Sequence, residues 1–225
     1  YVGLSHPYFS KRLGIYGDTS FQPYSDNCPR FLCFAKAVAL YLAATDWKVD
    51  IVHCHDWTTG LVPYYLKYFK VEAKTVFTIH NLAYQGVFPP FDAIISSSRI
   101  PKSALRGPKA HENINMMAAG LLDSDFITTV SPTYMEEIRQ SGMGCGLEDI
   151  LKDRKDVSRG IINGIDYKEW NPETDKDIIS TYSVDNMEGK KKCKEEVLKE
   201  FKIHGYEDKP LFAMISRLAD QKGFD

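Results

Sequence analysis

The residues best suited to chemistry stand at five places along the chain, each directly after a short apolar run. They are His55-Asp56-Trp57, His80-Asn81, Ser131, Asn163-Gly164 and Ser216-Arg217. Imidazoles, carboxamides, a carboxylate and a guanidinium are the groups that hold hydroxyls and phosphates by hydrogen bonds. Taken singly, a polar residue after a strand reads first as a turn or helix cap. Five such positions point to a shared ligand crevice, because open parallel α/β sheets bind ligands beyond the carboxyl ends of their strands.

Three segments carry more detail. In His53-Cys54-His55-Asp56, positions 53 and 55 share one face of a strand, a spacing that also suits a metal. His53 reads as a packed strand histidine ahead of a metal ligand. Asp56 reads either as a cap for a following helix or as an acceptor for sugar hydroxyls. His80-Asn81-Leu82-Ala83-Tyr84-Gln85-Gly86 gathers an imidazole, two amides and a phenol, the donors and acceptors that a polyhydroxyl ligand requires. Ser216 to Gly223 follows an apolar run and carries Arg217 and Lys222, which would make an anion site at a helix start. Lys190-Lys191-Lys192 reads as a solvated helix face. The glycines at 142, 144 and 146 follow a helix rather than a strand, so they read as a turn and not as a phosphate loop.

The elements that must position these groups alternate. The first thirty residues read as loop, and Pro29 opens a helix with Phe31, Phe34, Ala35, Val38 and Leu42 on one face. Strands are predicted at 50–55, 75–79, 126–130 and 159–162, with helices at 61–69, around 114–122, at 132–140 and at 147–154. A long loop is predicted from 81 to 106. This alternation predicts an α/β fold with a parallel sheet. The composition turns polar after Asn163-Gly164, a helix is expected over 190–201, and Pro210 to Ile215 reads as a fresh buried strand. The predicted organisation is a domain over 1–165, an inter-domain segment over 166–208, and over 209–225 the beginning of a second domain that is cut short.

Composition excludes several classes. The chain has 225 residues, 44% hydrophobic and 26% charged, which rules out disorder, collagen and coiled coil as whole-chain readings. A formal net charge of -2 gives no electrostatic reason to expect nucleic acid or an anionic membrane as partner. No apolar run suits a membrane span, and the first residues do not read as a signal peptide. Five cysteines without CxxC spacing argue against a disulfide framework or structural zinc and fit a reducing compartment.

Together, IVHCHDW (51–57), VFTIHNLAYQG (76–86), TVSPTY (129–134), INGID (162–166), WNPET (170–174) and SRLADQKG (216–223) resemble the glycogen/starch synthase family, in the family's order. The resemblance implies a GT-B fold, two Rossmann-like domains facing across a cleft, with this chain supplying most of the first. It implies that the family's Lys-Thr-Gly-Gly-Leu loop lies before Tyr1 and its C-terminal nucleotide-sugar motifs beyond Asp225. One departure is Ala118-Ala119-Gly120, where the family tends to carry Lys-Ala-Gly. The activity implied is retaining transfer of glucose from ADP-glucose to the non-reducing end of an α-1,4-glucan. His80, Arg217 and Lys222 are then the catalytic residues, and Tyr16, Asp56, Asn81, Tyr84, Gln85 and Asn163 bind substrate. No metal and no cofactor is implied, and the partners are the nucleotide sugar and the glucan acceptor. The compartment would be the cytoplasm of a bacterium or the plastid of a plant or alga. Two alternatives stand beside this reading: a metal-dependent hydrolase built on His53, His55, Asp56 and His80, and a non-catalytic glucan-binding relative.

Overall fold

The computed structural model describes residues 2–20, 22–89, 100–107, 113–216, 218 and 222–223. Two compact units are present, Tyr1–Asn163 and Gly164–Asp225. The first contains a four-stranded parallel sheet made of β1 (Ile51–His55), β2 (Lys74–Ile79), β5 (Phe126–Thr129) and β6 (Ser158–Gly160), in the order β1-β2-β5-β6. Between them, β3 (Val87–Phe88), inside the stretch expected to be loop, and β4 (Ile114–Asn115), at the start of the helix expected around 114–122, form a small antiparallel pair.

The connections are helical, as parallel pairing requires. α1 (Pro7–Ser10) is a single turn. α2 (Asn27–Ala44) starts two residues before Pro29, which still falls in the first turn, where a missing N–H breaks no helical bond. α3 (Val62–Tyr68) has Pro63 near its start. α4 (Met116–Asp123) is capped by the Asn115 side chain, which accepts the Ala118 N–H. α5 (Pro132–Glu137) is capped by Ser131, whose hydroxyl accepts the Tyr134 N–H. α6 (Glu148–Asp153) precedes β6.

The core lies on one side of the sheet. Cys54, Phe77, Ile79 and Ile127 meet Tyr65 and Leu66 of α3 and Met117, Ala118, Ala119 and Leu121 of α4 in one buried cluster. Gly120 shows how closely α4 approaches β2: a Cβ there would stand 2.4 Å from the Phe77 ring. Ala118, where the family tends to carry lysine, is fully buried.

On the other side, polar groups line up in register. His55 pairs with Thr78, Thr78 with Thr128 and Thr128 with Arg159, so these four share one face. The Thr78 and Thr128 hydroxyls are 2.5 Å apart, and His53 Nε2 is 2.6 Å from Thr78 Oγ1.

The second unit contains α7 (Glu188–Glu200), with Lys190, Lys191 and Lys192 exposed as expected. The strand expected at 211–215 does not form. These residues are irregular and Phe212, Met214 and Ile215 are exposed. A strand is stabilised by its ladder, and no described strand pairs with this segment.

Candidate active site at the strand ends

The site is built where β1 and β2 end side by side. The Asp56 N–H donates to the Thr78 carbonyl at 3.0 Å, continuing the ladder by one bond. The chain then turns sharply, with Asp56 at φ 54° and ψ -175°. That backbone region is essentially reserved for glycine and costs about 1–3 kcal/mol elsewhere. The Asp56 side chain holds the turn in place: its Oδ1 accepts the His80 N–H at 2.8 Å and the Asn81 N–H at 3.4 Å. The Thr59 hydroxyl, 2.6 Å from the His55 nitrogen and 2.8 Å from its carbonyl oxygen, closes the other side.

Above this frame sit three imidazoles. His55 Nδ1 lies 3.0 Å from His80 Nε2, and the rings of His53 and His55 are 4.2 Å apart. Burial lowers the His55 pKa from its ordinary value, the neighbouring His53 and His80 rings lower it further, and Asp56 opposes them. His53 is tied to Thr78 through its ring, but it is exposed and not packed into the strand as expected. Among the described residues, no three His, Cys, Asp or Glu side chains gather as metal ligands.

The segment after β2 alternates between anchors and free positions. Leu82 is buried, and its N–H donates to the Tyr134 hydroxyl at 3.3 Å. The Asn81 Oδ1 accepts the Ala83 N–H at 3.0 Å, a tight local turn. Tyr84 is exposed. Gln85 is buried, with its Nε2 donating to the Cys145 carbonyl at 3.0 Å and its Oε1 accepting from Asn115 Nδ2 at 2.7 Å. Its amide is committed within the fold, so Gln85 shapes the loop and does not offer itself to a ligand. Gly86, at φ 62°, lies against Trp57: a Cβ there would stand 2.4 Å from the indole.

The remaining candidates are placed as follows. Tyr16 is exposed beside the same indole, ring centroids 6.1 Å apart, while Trp57 packs edge-on against Phe31 at 4.7 Å. The structure thus brings Tyr16, Asp56, His80, Asn81 and Tyr84 to one end of the sheet region. Asn163 is exposed at the close of the first unit. Lys222 is exposed in the second unit, and Arg217 lies outside the described residues.

Two positioning features were not foreseen: the bond from Leu82 to Tyr134, and the pairing of His55 with His80. The phenol of Tyr134 was within reach of sequence reasoning, since Ser131-Pro132 fixes the start of α5 and places Tyr134 in its first turn. Burial raises the pKa of that phenol, keeping it a neutral acceptor for the Leu82 N–H.

No helix among the described residues is long and apolar enough to cross a membrane. The family model for the starch synthase catalytic domain matches residues 1–153. Glycogen synthase of Opitutus terrae is 40% identical over 96% of this chain and 46% of its own length. Glycogen synthase of Thermodesulfovibrio yellowstonii is 40% identical over 99% of the chain and 46% of its own length. The chain therefore spans about half the length of the curated relatives it matches. Among solved structures, the catalytic domain of starch synthase IV from Arabidopsis thaliana, bound to ADP and acarbose, matches with a TM-score of 0.67 and 31% identity, covering 80% of this chain and 38% of that one. These matches carry the GT-B assignment, and the parallel sheet is the Rossmann-like part of that fold. The chain belongs to the starch synthase catalytic-domain family.

Proposed function

We propose that this chain supplies the first-domain half of a retaining glucosyltransferase that moves glucose from ADP-glucose to the non-reducing end of an α-1,4-glucan. The observation that carries the reading is the cluster at the ends of β1 and β2, where Asp56, His80 and Asn81 present sugar-binding groups in a chain of this family. In the reaction, the bond from glucose C1 to the diphosphate breaks and a bond from C1 to the acceptor 4-oxygen forms on the same face. The proton of the acceptor hydroxyl passes to the leaving diphosphate. His80 hydrogen-bonds the donor sugar and shields the reacting carbon. Asn81 and the second carboxylate oxygen of Asp56 hold sugar hydroxyls. Tyr16 and Asn163 contact the donor, and Tyr84 serves the acceptor side. Arg217 and Lys222 stabilise charge on the departing diphosphate, the kind of term that dominates such steps. The reading invokes no cofactor beyond the donor itself.

The test joins this chain to the remaining half of the Opitutus terrae glycogen synthase and follows transfer of labelled glucose from ADP-glucose to glycogen. His80→Ala should lower turnover by orders of magnitude with unfolding unchanged. Lys222→Ala should lower it by about 10²–10³-fold, the usual loss for a donor to a developing negative charge. Near-normal transfer by a folded His80→Ala protein would overturn the assignment.

A further inference from the structure

Which ring nitrogen of His80 can serve a ligand is decided by its neighbour. His80 Nε2 faces His55 Nδ1 at 3.0 Å, and His80 Nδ1 has no hydrogen-bond partner among the described residues. A neutral imidazole carries one donor and one acceptor. If His55 Nδ1 holds the shared proton, His80 must carry its own proton on Nδ1. If His80 Nε2 holds it, Nδ1 of His80 is a bare acceptor. Either way the contact couples the two rings, so that the tautomer of His80 follows from that of His55 once His55 is itself held in place.

It is held by two neighbours, Thr59 on its backbone and His53 on its ring. The Thr59 hydroxyl bonds both its backbone nitrogen and its carbonyl oxygen. The ring lies 4.2 Å from that of His53, and His53 is anchored through Thr78 to Thr128 on the neighbouring strand. The backbone of His80 is fixed separately, by its N–H bond to Asp56. Backbone and ring of His80 are thus held by consecutive residues, Asp56 and His55.

We propose that His55 is a positioning residue for His80: through the Nδ1 to Nε2 contact it holds the His80 imidazole in one tautomer and one orientation, leaving Nδ1 as the nitrogen open to a ligand. The purpose of this arrangement rests on the reading of His80 as a sugar-contacting group, but the arrangement itself can be measured without any activity. A tautomer fixed before the donor arrives spares the reaction the reorganisation of a hydrogen-bonding group, which is how preorganised sites gain rate.

The experiment is long-range proton–nitrogen correlation NMR of the imidazoles at pH 7.5, on the 225-residue chain and on His55→Ala, His55→Phe and His55→Asn. In the unsubstituted chain, the two ring nitrogens of His80 should resonate far apart, one protonated and one bare. In His55→Ala they should converge toward a tautomer average. His55→Phe keeps a ring against His53 but no nitrogen, and should give the same average, which covers the case of an Ala variant that does not fold. Asparagine places an amide on Cγ where histidine has Nδ1, so His55→Asn should restore the separation. Averaged His80 resonances in the unsubstituted chain, or an unaltered separation in folded Ala or Phe variants, would overturn the proposal. If the resonances behave as expected and His80 proves dispensable for glucosyl transfer, the functional reading fails while the positioning role stands.

Discussion

Oδ1 of Asp56 accepts the backbone N–H of His80 at 2.8 Å, so one carboxylate oxygen ties together the exits of two neighbouring strands. The same residue bears the strained turn, φ 54° and ψ -175°. Hydrogen bonds to a charged group contribute about 1.5–3 kcal/mol each, comparable to the strain they hold. Asp56→Ala loses the bonds and keeps the strain, and should destabilise the chain by about 2 kcal/mol or more. Asp56→Gly loses the bonds but relaxes the backbone, and should be the milder change. Urea unfolding of both variants checks the order, and a glycine variant no more stable than the alanine one would contradict the strain.

Gly86 faces a different obstacle. At φ 62°, with Trp57 where a Cβ would go, Gly86→Ala must both adopt a left-handed backbone and displace a half-buried indole. Overpacking of this kind costs about 1–3 kcal/mol, and the backbone adds about 1 kcal/mol or more. The expected outcome is a lower unfolding midpoint together with a shift in tryptophan emission. Unchanged emission with unchanged stability would show that the loop can move aside freely.

Acidification should weaken the fold through His55. Its folded-state pKa is depressed, chiefly by burial. As pH falls through the ordinary histidine range near 6.5, the unfolded chain takes up this proton first and stability drops. The loss levels off once pH lies below the depressed folded value. Denaturant unfolding at pH 7.5 and pH 5.5 should therefore show the chain less stable at the lower pH, and His55→Asn should flatten that difference. An equally steep dependence in the variant would assign it elsewhere.

Arg30 fastens the segment that precedes α2. It is 2% exposed, its Nε donates to the Tyr8 carbonyl at 2.9 Å, and its guanidinium lies 4.9 Å from the Tyr24 ring and 5.5 Å from that of Phe9. Arg30→Met fills similar space but strands the Tyr8 carbonyl and the Asn27 Oδ1, at about 1–3 kcal/mol per unsatisfied group. Limited proteolysis should then cut within residues 8–24 well before the sheet is attacked. Cleavage no faster than in the unsubstituted chain would mean that other contacts hold the segment.

The α/β order was legible because β1, β2 and β5 are short runs rich in apolar residues that end at polar groups, and because Pro63 and Ser131-Pro132 mark helix starts; β6 instead forms from Ser158-Arg159-Gly160, just before the exposed Ile161-Ile162 that suggested it. Residues 211–215 carry the same apolar signal and still form no strand, since apolar character does not supply a ladder partner. The pair β3 and β4 was invisible for the opposite reason: two residues each are too few to show alternation. Asp56, His80 and Asn81 could be placed at strand ends from sequence, but the contact of His55 with His80 depends on the register of two strands, which spacing along one chain does not reveal. That Gln85 is buried was not legible, because a loop has no periodicity to tell a buried amide from an exposed one.

The alternation along residues 81–86 divides that loop into positions that evolution or a protein engineer could vary and positions that neither could. Leu82, Gln85 and Gly86 are pinned from below by Tyr134, Asn115 and Trp57, while Ala83 and Tyr84 face outward. A combinatorial library confined to 83 and 84 would diversify the exposed edge of the loop on an unchanged scaffold, whereas one that included 85 or 86 would return many destabilised clones.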